Sequence, residues 1–289
     1  MRIFGHGVLA LVAAVVTFAA ALVAVVAGPA WWSGADRDTA AGREFRVHRP
    51  APRPAHPGLV LDLHPSGANG FLEQATSRLT GRADREGWLV AYPDSAADWA
   101  PYGTDGDEVP FLAAVIDRLV ATDGVDPDRV YVTGLSRGAM QAYRVACALS
   151  PRIAAIAAVA GNMADVRGDV RGTGCAPERP VSILAIHGAA DTAVPFGGGG
   201  RFAPFADVTA YWRELDGCAA VESSTTAGAA TVTTWACRSG TEVRTVVVAG
   251  AGHTWPGMPL AGLPWGAAES WDASAAVADF FAGHRRATR

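Results

Sequence analysis

A mostly parallel β-sheet covered by helices on both faces is the fold this sequence predicts, an α/β architecture in one large domain. Three observations predict it. From Leu59 onward, short apolar runs alternate with segments of helical periodicity, the pattern of strands joined by helical crossovers. Half of the 289 residues are apolar, which supplies a sizeable core. One strand pattern runs directly into a glycine-flanked serine and then into a helix, a strand–turn–helix unit with its own backbone demands.

The elements follow in order. Leu59–Leu63 reads as a buried strand. Residues 70–85 read as one helix with Leu72, Ala75 and Leu79 on a face. Trp88–Tyr92 is the next strand, stopped by Pro93, and Val109–Leu119 the next helix. Asp126-Pro127 marks a turn. Val130–Thr133 is a strand entering Gly134, and Ala139–Leu149 continues as a helix. Ile156–Val159, Ser182–Ile186 and Val243–Val248 are further strands; Val208–Leu215 and Ser274–Phe281 are further helices.

Ahead of this domain, expected over 58–289, stand two other segments. Residues 1–30 open with one arginine followed by an apolar run from Val8 to Ala27, the pattern of an export signal, and long enough to remain as a membrane tether. Residues 31–57 are rich in Pro, Arg, Gly and Ala without periodicity and read as a linker. Four cysteines, Cys147, Cys175, Cys218 and Cys237, include no C-x-x-C pair, so a zinc or redox motif is not expected. In an exported chain an even count favours disulfides; of the three possible pairings the two local ones, Cys147–Cys175 and Cys218–Cys237, are preferred. Extracellular placement follows from the same reading.

Composition excludes several chemistries. The formal net charge is −4 and no basic patch interleaved with aromatics occurs, against a nucleic-acid partner. All 24 basic residues other than histidine are arginine. Without lysine there is no Schiff base, no Ser-Lys dyad and no Walker-type phosphate loop.

Gly134-Leu135-Ser136-Arg137-Gly138 matches the G-x-S-x-G elbow of the α/β-hydrolase fold. The chain turns sharply there, and side chains two residues to either side of the serine would collide, so glycine stands at both places. Ser136 is thereby lifted to the carboxyl edge of the sheet, where ligands bind in open α/β folds. A base must follow later in the chain. His253, on the small-residue loop after Val243–Val248, fits, whereas the other histidines lie in the N-terminal segments, at strand ends or near the C-terminus. Asp191, just past Ser182–Ile186, fits the orienting acid; Asp207 and Asp216 are its rivals, on or beside a helix. The oxyanion needs two amides. Arg137 supplies one. Pro65 has no N–H, which leaves Ser66 for the other. His64 reads as structural. Trp255, Trp99 and Phe196 are expected to line a substrate pocket.

The segments Val125–Ser136, Ala157–Gly161, His187–Pro195 and Gly252-His253-Thr254-Trp255-Pro256-Gly257 resemble the secreted polyhydroxybutyrate depolymerase-like and feruloyl-esterase-like hydrolases of the esterase/PHB depolymerase family. The resemblance covers about Leu59 to Trp255. It implies Ser136, Asp191 and His253 as the catalytic triad, and cofactor-free hydrolysis of esters of polymeric or aromatic-acid substrates. The chain departs from the family in three places. Pro65 stands where a glycine is usual, Arg137 replaces a small or amide residue and is expected to point to solvent, and residues 94–107 are shorter. Two rival readings are a serine peptidase of the same fold and an exported carbohydrate- or polymer-binding protein with a dead site.

Overall fold

A strand buried on both faces needs apolar side chains at nearly every position, and β3 (Gly58–Leu63), β4 (Trp88–Pro93) and β5 (Val130–Leu135) are buried throughout. They form the middle of a ten-stranded sheet with β6 (Ala155–Val159), β7 (Ser182–Gly188) and β10 (Glu242–Val248). From β4 to β10 the order is β4-β3-β5-β6-β7-β10, every pair parallel. The computed structural model describes residues 34–100, 108–163, 167–220, 223–258 and 271–286. The apolar run 8–27, with the export signal or tether expected there, lies outside the described residues. Among the described residues no helix is long and apolar enough to cross a membrane.

Alternation along the strands splits the core in two. Leu59, Leu61, Val132, Ile156 and Ile183 face one layer, built with α3 (Val109–Asp123), α4 (Arg137–Ala148) and α5 (Phe205–Leu215). Val60, Val90, Tyr131, Ala157 and Leu184 face the other, filled by α2 (Leu79–Glu86) and α6 (Ala273–Ala282). Both faces of the sheet are therefore covered, as the strand–helix alternation requires.

Three segments differ from the sequence reading. Residues 36–48, expected inside a linker, form the hairpin β1 (Asp36–Ala40) and β2 (Arg43–His48), which extends the sheet antiparallel to β4. Its two-residue turn, Ala41-Gly42, has both residues at positive φ, the hairpin geometry that matches strand twist. Only Ala40, Phe45 and Val47 of the hairpin reach the apolar core, so the apolar signal is three residues amid charge. At the other edge β8 (Ser223–Ala227) and β9 (Ala230–Ala236) form a second unanticipated hairpin, whose outer strand is wholly exposed. The single helix expected over 70–85 is two, α1 (Gly70–Ser77) and α2, broken where Arg78 adopts φ 56°. The break lets α2 turn Leu79 and Ala83 into the core, whereas α1 buries Gly70, Glu73, Gln74 and Ser77 and leaves Leu72, expected on the inward face, exposed.

Two disulfides are present, Cys147–Cys175 and Cys218–Cys237. The first joins the last turn of α4 to the loop before β7; the second joins the chain after α5 to the end of β9.

Candidate active site

Parallel strands place their carboxyl ends on one rim, and the four loops that leave β3, β5, β7 and β10 meet there. β5 leads through Leu135 into Ser136, whose φ of 56° and ψ of −113° lie outside the usual regions for a side-chain-bearing residue. Its amide donates to the Val159 carbonyl at 2.9 Å, which holds the turn onto β6. The elbow packs directly on the loop after β3: a Cβ at Gly138 would collide with the Leu63 carbonyl. Glycine is required there by this approach of two backbones.

The loops after β7 and β10 are pressed together in the same way. Val248 pairs with Gly188 at the ends of their strands. A Cβ at Gly188 would strike the Ala251 carbonyl, and the Ala190 amide donates to that same carbonyl at 2.9 Å. Asp191 and His253 are thereby neighbours although 62 residues separate them.

The structure brings Ser136, His253 and Asp191 together. His253 Nδ1 lies 2.8 Å from Asp191 Oδ2, and His253 Nε2 lies 2.8 Å from Ser136 Oγ. The carboxylate only accepts, so Nδ1 carries the hydrogen, and Nε2 is left to accept from the serine hydroxyl. Asp191 is buried, while the His253 side chain is 26% exposed. Burial pushes the Asp191 carboxyl up, but hydrogen bonds from His187 and His253 and from the Val194 amide outweigh it and hold the group well below the usual carboxylate range. The acid is a fixed negative charge at neutral pH.

Its support includes a residue that sequence reasoning assigned no part in the site. His187 Nε2 donates to the Val194 carbonyl at 2.9 Å and lies 3.3 Å from Asp191 Oδ2. The Ala193 and Val194 amides donate to Asp191 Oδ1, each at 2.9 Å. The i, i+4 spacing of His187 and Asp191 past a strand end was the only signal available for this contact.

The other expected residues divide. Ser66 is exposed on the β3 loop, and its hydroxyl donates to Asp98 Oδ2 at 2.5 Å. Arg137 stands at the first position of α4, where its amide has no acceptor within the helix. Its side chain does not point to solvent as expected; it is 19% exposed, with Nε 3.9 Å from Asp98 Oδ2. His64 is structural: Nδ1 donates to the Pro65 carbonyl at 2.8 Å, and Nε2 accepts from the Ser95 amide at 3.0 Å. Trp255 and Trp99 do not line a pocket. Trp255 is fully buried with Nε1 on Ser274 Oγ at 2.9 Å, and Trp99 is buried with Nε1 on the His64 carbonyl at 2.8 Å. A ring sealed from water and satisfied at its N–H packs the sheet edge. Phe196 remains partly exposed and stacks on Phe205 at 5.3 Å.

Known proteins share this arrangement of elements. No family model matches the chain. The “Putative esterase NocK” of Nocardia uniformis subsp. tsuyamanensis is 33% identical over 251 residues, covering 74% of this chain and 71% of that protein. Feruloyl esterase B of Piromyces equi is 28% identical over 211 residues, which are 68% of this chain and 39% of that longer protein. Among solved structures, the acetyl xylan esterase from Aspergillus awamori superposes with a TM-score of 0.63 at 18% identity, covering 77% of this chain and 95% of that one; at that identity the likeness concerns the fold. Sequence and architecture converge, and the chain belongs to the esterase family of the Nocardia protein, carboxylic ester hydrolases of the α/β-hydrolase fold.

Proposed function

We propose that the chain is an exported serine esterase that works by two-step acyl transfer. The observation that carries this reading is the unbroken relay from Ser136 Oγ through His253 to Asp191, 2.8 Å at each link. Ser136 Oγ attacks the ester carbonyl while its proton passes to His253 Nε2. Asp191 stabilises the imidazolium that results and keeps Nδ1 in the donor tautomer. The amides of Arg137 and Ser66 hold the tetrahedral oxyanion, which also faces the positive end of α4. The alcohol leaves with the proton from His253, water attacks the acyl-enzyme by the reverse path, and the acid is released.

The relatives' names direct the substrate search toward feruloyl and acetylxylan esters, with polyhydroxyalkanoate oligomers kept from the sequence resemblance. Phe196 is the expected lining residue still open to a substrate. Export is supported by the apolar run 8–27 and by the two disulfides. In the purified protein, Ser136→Ala should reduce hydrolysis of p-nitrophenyl acetate by at least about ten-thousandfold, and a fluorophosphonate probe should label the wild type alone. Turnover retained by the alanine variant would reject the assignment, and a wild type that resists the probe would favour a dead binding protein. A panel of methyl ferulate, acetylated xylan and hydroxybutyrate oligomers then ranks the acyl groups.

A further inference from the structure

Asp98 belongs to neither the elbow nor the triad, yet it touches both suppliers of the proposed oxyanion amides. Its Oδ2 accepts from Ser66 Oγ at 2.5 Å and its Oδ1 from the Gly67 amide at 3.1 Å. On the other side Arg137 Nε stands 3.9 Å from Oδ2. Burial pushes the Asp98 carboxyl up, but the Ser66 hydroxyl, the Gly67 amide and the charge of Arg137 prevail and lower it. The group is therefore ionised at neutral pH, accepting from the β3 loop on one side and facing the Arg137 charge on the other.

The segment carrying Asp98 is held against its own backbone preference. Asp98 and Trp99 both adopt left-handed φ, 52° and 50°, a pair of adjacent positions that costs energy without glycine. Surrounding bonds impose it. Ser95 Oγ accepts the Trp99 amide at 2.8 Å, and Glu108 Oε1 accepts Ser95 Oγ at 3.0 Å and the Ala96 and Ala97 amides at 2.9 and 3.0 Å. Arg43 donates to the other oxygen of Glu108 at 2.7 Å. From the opposite side Trp99 Nε1 and the Ser95 amide bond the two polar ends of His64. Residues 95–99 thus wrap the loop His64–Gly67, and the strained residues present one carboxylate to its tip.

We infer that Asp98 is a positioning residue that sets the oxyanion loop at a fixed height over the nucleophile and ties it to the elbow through Arg137. Pro65 gives the reason such a brace is needed: it removes one backbone donor from the loop, so the loop's orientation rests on side-chain bonds. A hydroxyl and an amide donate here while a guanidinium attracts by its charge alone, and an ionised carboxylate answers all three, whereas an asparagine amide is neutral and accepts on one side only. The inference rests on the proposed reading that the Ser66 and Arg137 amides receive the oxyanion.

The test compares Asp98→Ala, Asp98→Asn, Ser66→Ala and the Asp98→Ala/Ser66→Ala double variant, each normalised by fluorophosphonate titration to count folded sites. Asp98→Ala should lower kcat for p-nitrophenyl acetate about ten- to a hundredfold, with KM within about twofold. Inhibition by a trifluoromethyl ketone, whose hemiketal oxygen occupies the oxyanion position, should weaken by the same factor as kcat/KM. Asp98→Asn, which keeps the side-chain volume, should fall between Asp98→Ala and the wild type. The double variant should be no slower than Asp98→Ala alone, because both single changes cut one tie. Wild-type kcat in Asp98→Ala, a loss confined to KM, or unchanged ketone affinity would overturn the inference. Ser136→Ala in parallel separates the two levels: if it stays active the esterase reading fails, and if it is inactive while Asp98→Ala is not, only the brace fails.

Discussion

At the scale of single residues, the structure separates groups that a sequence pattern can identify from groups defined only by contact. Ser136 announces itself by flanking glycines, and His253 and Asp191 by chain order and strand ends. Asp98 carries no such mark, because it acts on a loop 32 residues earlier in the chain, and His187 carries only its i, i+4 spacing to Asp191. The two tryptophans err in the opposite sense: aromatic residues at loop ends suggest a pocket, yet Trp99 and Trp255 are fully used in packing. Asp191 makes the sharpest single-residue prediction. In Asp191→Asn the side chain keeps its size, but its amide nitrogen competes for the place of an acceptor, and the imidazole loses its fixed tautomer. Steady-state kinetics should show kcat lower by roughly a thousand- to ten-thousandfold with little change in KM. A loss below tenfold would mean that the contact with His253 does not orient it.

Elements tell a different story, in which backbone proximity decides what a position tolerates. Gly138 and Gly81 are both helical glycines, and their surroundings are opposite. A methyl group on Gly138 meets the Leu63 carbonyl, whereas nothing lies within 4 Å of one on Gly81 in α2. Gly138→Ala should therefore destabilise by about 1–3 kcal/mol and displace the elbow, so calorimetry and kcat should fall together. Gly81→Ala should stabilise by about 0.5–1 kcal/mol without touching activity. The central strands and most helices were legible because β3 to β7 are apolar at nearly every position. The outer hairpins were not. β1 and β2 carry charge on their open side and rest on Ala40, Phe45 and Val47, and β8 exposes all five of its residues, so little apolar periodicity exists to be read. The division between α1 and α2 was equally hidden, since a left-handed arginine leaves no trace in the composition.

For the molecule as a whole, buried acids set how stability responds to pH. Asp62 on β3 and Glu73 on α1 are buried side by side, and Ser77 Oγ donates to Asp62 Oδ2 at 2.5 Å. Burial pushes the Asp62 carboxyl up to about 7 and raises Glu73 as well, the neighbouring acid adding to it; burial also raises Asp216 to about 7. A carboxyl that holds its proton more tightly when folded contributes stability in full below its unfolded value of about 4. That contribution is lost as pH rises through the folded value near 7. Asp191 and Asp123 work in the other direction: burial opposes them, but their hydrogen-bonded partners hold them low, so their contribution is lost in acid. The melting temperature should accordingly peak near about pH 5 and decline toward neutrality. Asp62→Asn should flatten the decline; an unaltered slope would show that the pair does not titrate in this range. One further consequence concerns α4. Its tip bears the Ser136 hydroxyl proposed as the nucleophile and is wedged against the β3 loop, while its foot is riveted by Cys147 to Cys175, roughly 16 Å away along the axis. A strut fastened so far from its working end can lose the rivet in a reducing medium and still present the hydroxyl correctly, so the bond governs how long the enzyme endures rather than how fast it turns over.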